Sequence, residues 1–396
     1  MTPIKHIANI KHLLFLATII LVTLHANCQK QGQARIDSLL TQLPKAKDDT
    51  NKVNLLNDIS FTYYYIKPDE GIKFGKQALE LANKLNWKKG VAHANHRIGS
   101  NYIFKSDYSK SLEYLFSALT KFKELKDNNG IARVFSNIGI IYSDLGDYSK
   151  ALDYGLKALK INEDIGEKLG ASKNMNSIGL IYLSQDDDSK ALDYYFRALK
   201  IVEAINAKDN KASILNSIGN VYIYQKNYKK ALNYYSISLK IDEEFGDKIG
   251  ISNECGNIGI TYAYQNDYSK ALEWIGKALK LDKELGNKIS TALHLMNIGD
   301  IYLSIVTENN SSQLNKLFAG NKKAALNMAK LYIYSAIGLN FELKSWNQLF
   351  TCYYCLNKVD SCLGDNKSAL DDYKKGSTMI LMDKDLIYHE KIRLQL

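Results

Sequence analysis

Recognition rather than catalysis is the chemistry that the polar residues of this chain could do. Gly99, Gly139, Gly179, Gly219, Gly259 and Gly299 stand 40 residues apart. Six residues before five of these glycines come His93, Arg133, Lys173, Ser213 and Asn253; three before come His96, Ser136, Asn176 and Asn216. Two before come Arg97, Asn137, Ser177, Ser217, Asn257 and Asn297, and Asn220 follows the fourth glycine. Arginine and lysine suit carboxylates. Asparagine offers a donor and an acceptor together, which suits an extended peptide backbone. The basic members gather in the early repeats and the amides in the later ones. Taken singly, each asparagine could equally cap or solvate its own helix.

Catalytic constellations do not emerge. His93 and His96 are three apart, but no glutamate follows in the zinc-protease manner. There is no glycine-rich phosphate loop and no elbow serine, and histidines are few for acid–base work. Cys352, Cys355, Val359 and Cys362 make one helical stripe, which reads first as packing, with a disulfide left open. No cofactor, metal or enzyme activity is expected. Net charge is +10, or +8 without Lys5 and Lys11. Lys110, Lys150, Lys190, Lys230 and Lys270 recur at one repeat position and are expected to line a ridge. Glu113, Asp153, Asp193 and Glu273, three residues on, are expected to pair weakly with them. A solvated face is therefore expected there, and no nucleic-acid partner.

Positioning these side chains falls to an array. Tyr102, Tyr142, Tyr182, Tyr222, Tyr262 and Tyr302 follow the glycines by three, and Ala118, Ala158, Ala198 and Ala278 keep the same step, with Ser238 in place. A fixed spacing of this size marks a repeat protein. In residues 131–170 the apolar positions Ile131, Val134, Ile138, Ile141 and Leu145 recur at helical steps. Gly146-Asp147 breaks the run, and a second amphipathic run passes Ala151, Leu152, Leu156 and Leu159. Each unit is thus a helix pair that buries its apolar faces by stacking on neighbours. Gly139 and Ala151, one per helix, mark a close crossing, and Tyr142 and Tyr154 are expected to fill the space between units.

The succession Ile138-Gly139-x-x-Tyr142, then Ala151 and Ala158, resembles the tetratricopeptide repeat. The position of the family's early aromatic is loosely hydrophobic (Phe135, Met175, Leu215, Cys255, Leu295), and its closing proline is absent. The 40-residue period is longer than the usual one and is similar to the LGN/Pins adaptors and the bacterial Rap-type peptide receptors. The resemblance covers roughly residues 50–385 and implies an all-α, right-handed α-α superhelix of about eight helix pairs. It places the first helix of each pair on a concave groove. In the LGN-like relatives arginine six residues before the glycine and asparagine two before it grip the partner. Arg133, Asn137, Asn257 and Asn297 match that pattern; Ser177 and Ser217 depart from it. The expected groove residues are Arg97, Arg133, Asn137, Lys173, Asn176, Asn216, Asn220, Asn253, Asn257 and Asn297.

At the ends, residues 1–28 read as a signal peptide: Lys5 and Lys11 precede the apolar stretch Leu13–Leu24, too short to span a bilayer. Ala26 and Cys28 place small residues for a cut before Gln29; a lipoprotein would acylate Cys28, for which Asn27 is a poor neighbour. No other stretch is expected to span a membrane. Residues 29–50 should hold a capping helix, 51–385 the array, and 386–396 a helical tail. An insertion near 305–319, with Asn309, Asn310, Ser311 and Ser312, is expected as a surface loop carrying Asn-x-Ser sequons. In bacterial sensor proteins with similar arrays such a tail leads to a membrane helix and an output domain, so this chain would be a sensory or scaffold part. The expected protein is an exported, non-enzymatic adaptor, periplasmic or extracellular, holding an extended, acidic-ended polypeptide. The alternative is a sensory module that recognises a small molecule or glycan and acts on a separate membrane kinase or transcription regulator.

Overall fold

A computed structural model describes residues 27–64, 67–308 and 311–393; the leader, the Cys28 side chain and the sequon positions 309–310 lie outside the described residues. These residues form eighteen α-helices, one short 3-10 turn and no strand. α1 (Asn27–Gln42) leads into α2 (Thr50–Tyr63) and α3 (Pro68–Lys84), then α4 (Lys88–Phe104) and α5 (Tyr108–Glu124), α6 (Asn128–Asp144) and α7 (Tyr148–Asp164). There follow α8 (Lys168–Ser184) and α9 (Asp188–Ala204), α10 (Lys208–Tyr224) and α11 (Tyr228–Phe245), α12 (Lys248–Tyr264) and α13 (Tyr268–Leu285). The last are α14 (Lys288–Thr307), α15 (Ser311–Phe318), α16 (Lys322–Glu342), α17 (Trp346–Leu363) and α18 (Asn366–Arg393). Consecutive helices pack in pairs, as an all-α tetratricopeptide-type solenoid. The chain divides into two compact units, one ending at Val221 and one running from Tyr222 to Tyr388.

The hairpins share one turn. The residue before the second helix's cap is left-handed: Ser106 (φ 54°), Gly146 (φ 72°), Asp186 (φ 60°), Lys226 (φ 56°) and Asn266 (φ 61°). The next residue then donates its N–H to the carbonyl of the repeat tyrosine, as Asp147 does to Tyr142 at 2.8 Å. Its side chain caps the second helix; Asp147 Oδ1 accepts the Lys150 N–H at 3.1 Å. The same aspartate binds the Lys150 ammonium at 3.1 Å, and that ammonium sits 4.9 Å from the Tyr142 ring. Lys110, Lys190 and Lys270 repeat this arrangement with Asp107, Asp187 and Asp267. The expected pairing of these lysines with acids three residues on is therefore replaced by pairing with the cap, three residues back. Asp153, Asp193 and Glu273 pair instead with Lys157, Arg197 and Lys277, one turn further along.

The tyrosines also differ from expectation. Tyr142 stacks on Tyr154 at 5.7 Å inside one hairpin, and Tyr102–Tyr114, Tyr182–Tyr194 and Tyr222–Tyr234 do the same. They join the two helices of a pair rather than successive pairs. The glycine column marks where the two helices cross: a Cβ on Gly139 would stand 3.3 Å from the Ala151 carbonyl, and one on Gly259 3.1 Å from that of Ala271. The alanine column is fully buried, as is Ser238 within it.

In the N-terminal unit, Ile36 of α1 is buried among Val53, Leu56 and Ile59 of α2. In the C-terminal unit the described residues of the insertion are mostly helix where a loop was expected. α14 runs on through the buried Ile305 and Val306 to Thr307, and α15 buries Leu314. Against expectation, Lys288–Thr307 has the length and hydropathy of a bilayer span, but 78% of its most apolar 18-residue window is buried among its neighbours. Cys352, Cys355 and Val359 pack inward and Cys362 is exposed; the four described cysteines are free thiols. α18 continues unbroken to Arg393, past the expected boundary at 386.

Candidate functional site

In the N-terminal unit, the first helices of successive pairs meet through polar side chains. Asn137 of α6 donates to Ser100 Oγ of α4 at 2.8 Å and lies 3.2 Å from His96 Nε2. An amide N–H can only donate, so His96 accepts there and carries its own proton on Nδ1. Asn101 of α4 donates to the Ser60 carbonyl of α2 at 3.2 Å, and Asn174 of α8 donates to Ser136 Oγ at 2.7 Å.

Upon this frame sits a cationic cluster. Arg97 is half-buried, with its guanidinium carbon 4.3 Å from the Phe61 ring centroid. Burial and then the neighbouring Arg133 lower the Arg97 pKa to about 10. Burial, followed by the charge of Arg97, lowers His93 to about 4, and His96 is also held well below its ordinary value by burial and then Arg97. Both imidazoles are thus neutral beside two guanidiniums at pH 7. Each packs edge-on against Phe122, so they serve as support for the cluster. Arg133 and Lys173 are exposed. None of Arg97, Arg133 and Lys173 forms an ion pair among the described residues, unlike the lysines held by the capping aspartates.

Polar atoms without partners point the same way. Among the described residues Arg97 Nε, Asn176 Oδ1 and both amide atoms of the buried Asn57 lack hydrogen bonds. Buried polar groups in folded proteins are ordinarily satisfied. Asn57 lies one 40-residue period before Arg97, and Phe61 one helical turn after Asn57. The sequence reading missed both, although the period alone could have found Asn57.

The other expected residues fare unevenly. Asn216 and Asn220 are buried and bonded to each other, Asn220 Nδ2 donating to Asn216 Oδ1 at 3.2 Å. In the C-terminal unit Asn253 is half-buried, while Asn257 and Asn297 are buried; Asn257 Nδ2 has no partner among the described residues. The structure thus brings Arg97, Arg133 and Asn137 into one cluster with His93 and His96, leaves Lys173 and Asn176 along the same unit, and puts Asn253, Asn257 and Asn297 in the other unit. No three His, Cys, Asp or Glu side chains among the described residues are grouped to hold a metal.

Comparison with known proteins follows the same lines. A tetratricopeptide-repeat family model matches residues 90–164 and 169–244, and a second tetratricopeptide-repeat model matches 254–289. No curated protein matches the chain. Among solved structures, a Rap protein complexed with competence and sporulation factor is 14% identical, over 95% of this chain and 98% of that one, with a TM-score of 0.57. The apo form of the quorum sensor NprR from B. thuringiensis is 19% identical over 94% and 99%, with a TM-score of 0.56. The Rap conjugation gene regulator of the plasmid pLS20, in complex with the Phr* peptide, is 13% identical over 91% and 97%, with a TM-score of 0.58. Repeat models, helix pairing and this shared fold together identify the chain as a tetratricopeptide-repeat protein similar to the bacterial Rap-type arrays.

Proposed function

We propose that this protein is an exported, non-enzymatic adaptor that binds an extended polypeptide with an acidic end, and that Arg97, Arg133 and Asn137 receive that end. One observation carries the reading. The capping lysines are neutralised by their own aspartates, whereas Arg97, Arg133 and Lys173 on the first helices have no carboxylate partner among the described residues. A ligand carboxylate would supply that partner, and a guanidinium offers it two parallel donors. Asn57 and Asn176, each with unpaired amide atoms, suit the backbone of an extended chain. Two of the solved relatives are complexes with a peptide or a factor, which supports a peptide as the ligand class. The basic leader with its short apolar core supports export, to a periplasm or beyond.

The test is fluorescence anisotropy with a library of labelled peptides ending in aspartate or glutamate, each with a free or amidated C-terminus. Hydrogen bonds to charged groups contribute about 1.5–3 kcal/mol, so Arg133→Ala should weaken binding about 10- to 100-fold. Asn137→Ala should act more mildly and Lys226→Ala not at all. Equal binding by wild type and by an Arg133→Ala/Asn137→Ala double variant would remove the site, and a stoichiometric partner in pull-downs from an envelope fraction would support the adaptor reading.

A further inference from the structure

The exact 40-residue period ends at α14, and a cavity forms there. Earlier first helices from α4 to α12 have 17 residues, whereas α14 has 20 and so carries Thr307 and Glu308 beyond the usual end. Those added residues, with the end of α12, the start of α13 and the face of α17, line a half-open pocket of about 580 Å³ in the C-terminal unit. Such a volume falls in the range of small-ligand sites, roughly 300–1,000 Å³.

Two kinds of group line it. Tyr264 supplies aromatic surface and is held by stacking on Tyr228 at 6.0 Å, while Tyr268 beside it is buried in the core. Asp300 and Glu308 supply negative charge; neither forms an ion pair among the described residues. Glu308 accepts the Tyr268 hydroxyl at 2.6 Å, and Asp300 accepts only a thiol at 3.5 Å, from Cys355. Lys358, the one cation in the lining, has its ammonium 4.6 Å from the Tyr354 ring. Burial and then the Asp300 charge push the Tyr264 phenol up to about 12, so it remains neutral at physiological pH. Neutral aromatic rings beside carboxylates are the usual surroundings of an organic cation. Two carboxylates without a third ligand fall short of a metal set.

We propose that this pocket binds an organic ammonium or guanidinium group, with Asp300 as its principal counter-ion, Glu308, held by the Tyr268 hydroxyl, as the second and the Tyr264 ring as its wall. The group could be borne by a free amine or by a basic peptide side chain. The site lies wholly within the C-terminal unit, and the arginine cluster within the N-terminal one.

Calorimetric titration of the whole chain with butylguanidine, N-acetyl-arginine amide and the uncharged N-acetyl-citrulline amide tests this. At least one of the two cations should bind and the citrulline analogue should not. Binding of both cations assigns the site to free organic cations as well; binding of the arginine amide alone assigns it to a peptide side chain. Asp300→Asn should weaken binding about tenfold, Glu308→Gln by a smaller factor, and Arg133→Ala should leave it unchanged. Glu308 is exposed, so its variant retains the fold should Asp300→Asn not. Equal binding of the citrulline analogue, no heat with either cation, or undiminished binding in both carboxylate variants would overturn the proposal.

Discussion

Replacing glycine by alanine at two helix-interior positions of the C-terminal unit should have opposite effects. In α13, a Cβ on Gly276 would meet nothing within 4 Å. Only the intrinsic preference for alanine then acts, and Gly276→Ala should stabilise by about 1 kcal/mol. In α12, a Cβ on Gly259 would lie 2.5 Å from Ile275 Cγ1 and 3.1 Å from both the Ala271 carbonyl and the Ile275 backbone nitrogen. The Ile275 side chain could turn aside, but the two backbone atoms belong to Ala271 and Ile275, both fully buried in the partner helix, and cannot. Overpacking of this kind costs about 1–3 kcal/mol, against the same gain in propensity. Gly259→Ala should therefore be less stable than Gly276→Ala by about that amount. Urea unfolding followed by helical circular dichroism reads the difference as a shift in midpoint. Gly139→Ala, whose nearest contact would be 3.3 Å from the Ala151 carbonyl, should fall between them. Equal stabilisation by Gly259→Ala and Gly276→Ala would refute the claim that the 40-residue glycine column exists to let the helices cross.

Acidification should destabilise the N-terminal unit. His93 is held near 4 against 6.5 unfolded, by burial and then Arg97, so between those values the unfolded chain binds the additional proton. Stability is full above pH 6.5 and the His93 contribution should fall by about 3 kcal/mol on reaching pH 4, and a His93→Gln variant should reduce that limb in melts at stepped pH. At the hairpin turn, Lys226 holds a left-handed φ of 56°, so Lys226→Gly should stabilise by about 1 kcal/mol and raise the melting temperature. The capping residue after such a turn should matter as much in the other direction: Asp107→Ala removes the acceptor for the Lys110 N–H and should cost about 1 kcal/mol, read from the unfolding midpoint.

What the sequence alone determined is the repeat itself. Crossing distance, turn and cap are local demands: the crossing glycine and the capping Asp or Asn recur, and the left-handed turn recurs with differing residues, because every hairpin solves the same steric problem. The period also placed Arg97, Arg133 and Asn137 in register before any coordinates. Only the tertiary structure decided which polar groups satisfy one another. One column runs Val134, Asn174, Ile214, Glu254 and His294, which as a sequence looks like drift. In the fold Asn174 bonds Asn162 at 2.6 Å, Glu254 accepts from Ser238 at 2.8 Å, and His294 meets Asp282 at 2.7 Å. Each of these three buried polar residues meets a polar side chain on a neighbouring helix, because the interior supplies no water to do it. The insertion belongs to the same class. Its loop-forming residues implied exposure, but Ile305, Val306 and Leu314 found apolar neighbours in the C-terminal unit, and that burial made helix of it and opened the cavity beside Asp300.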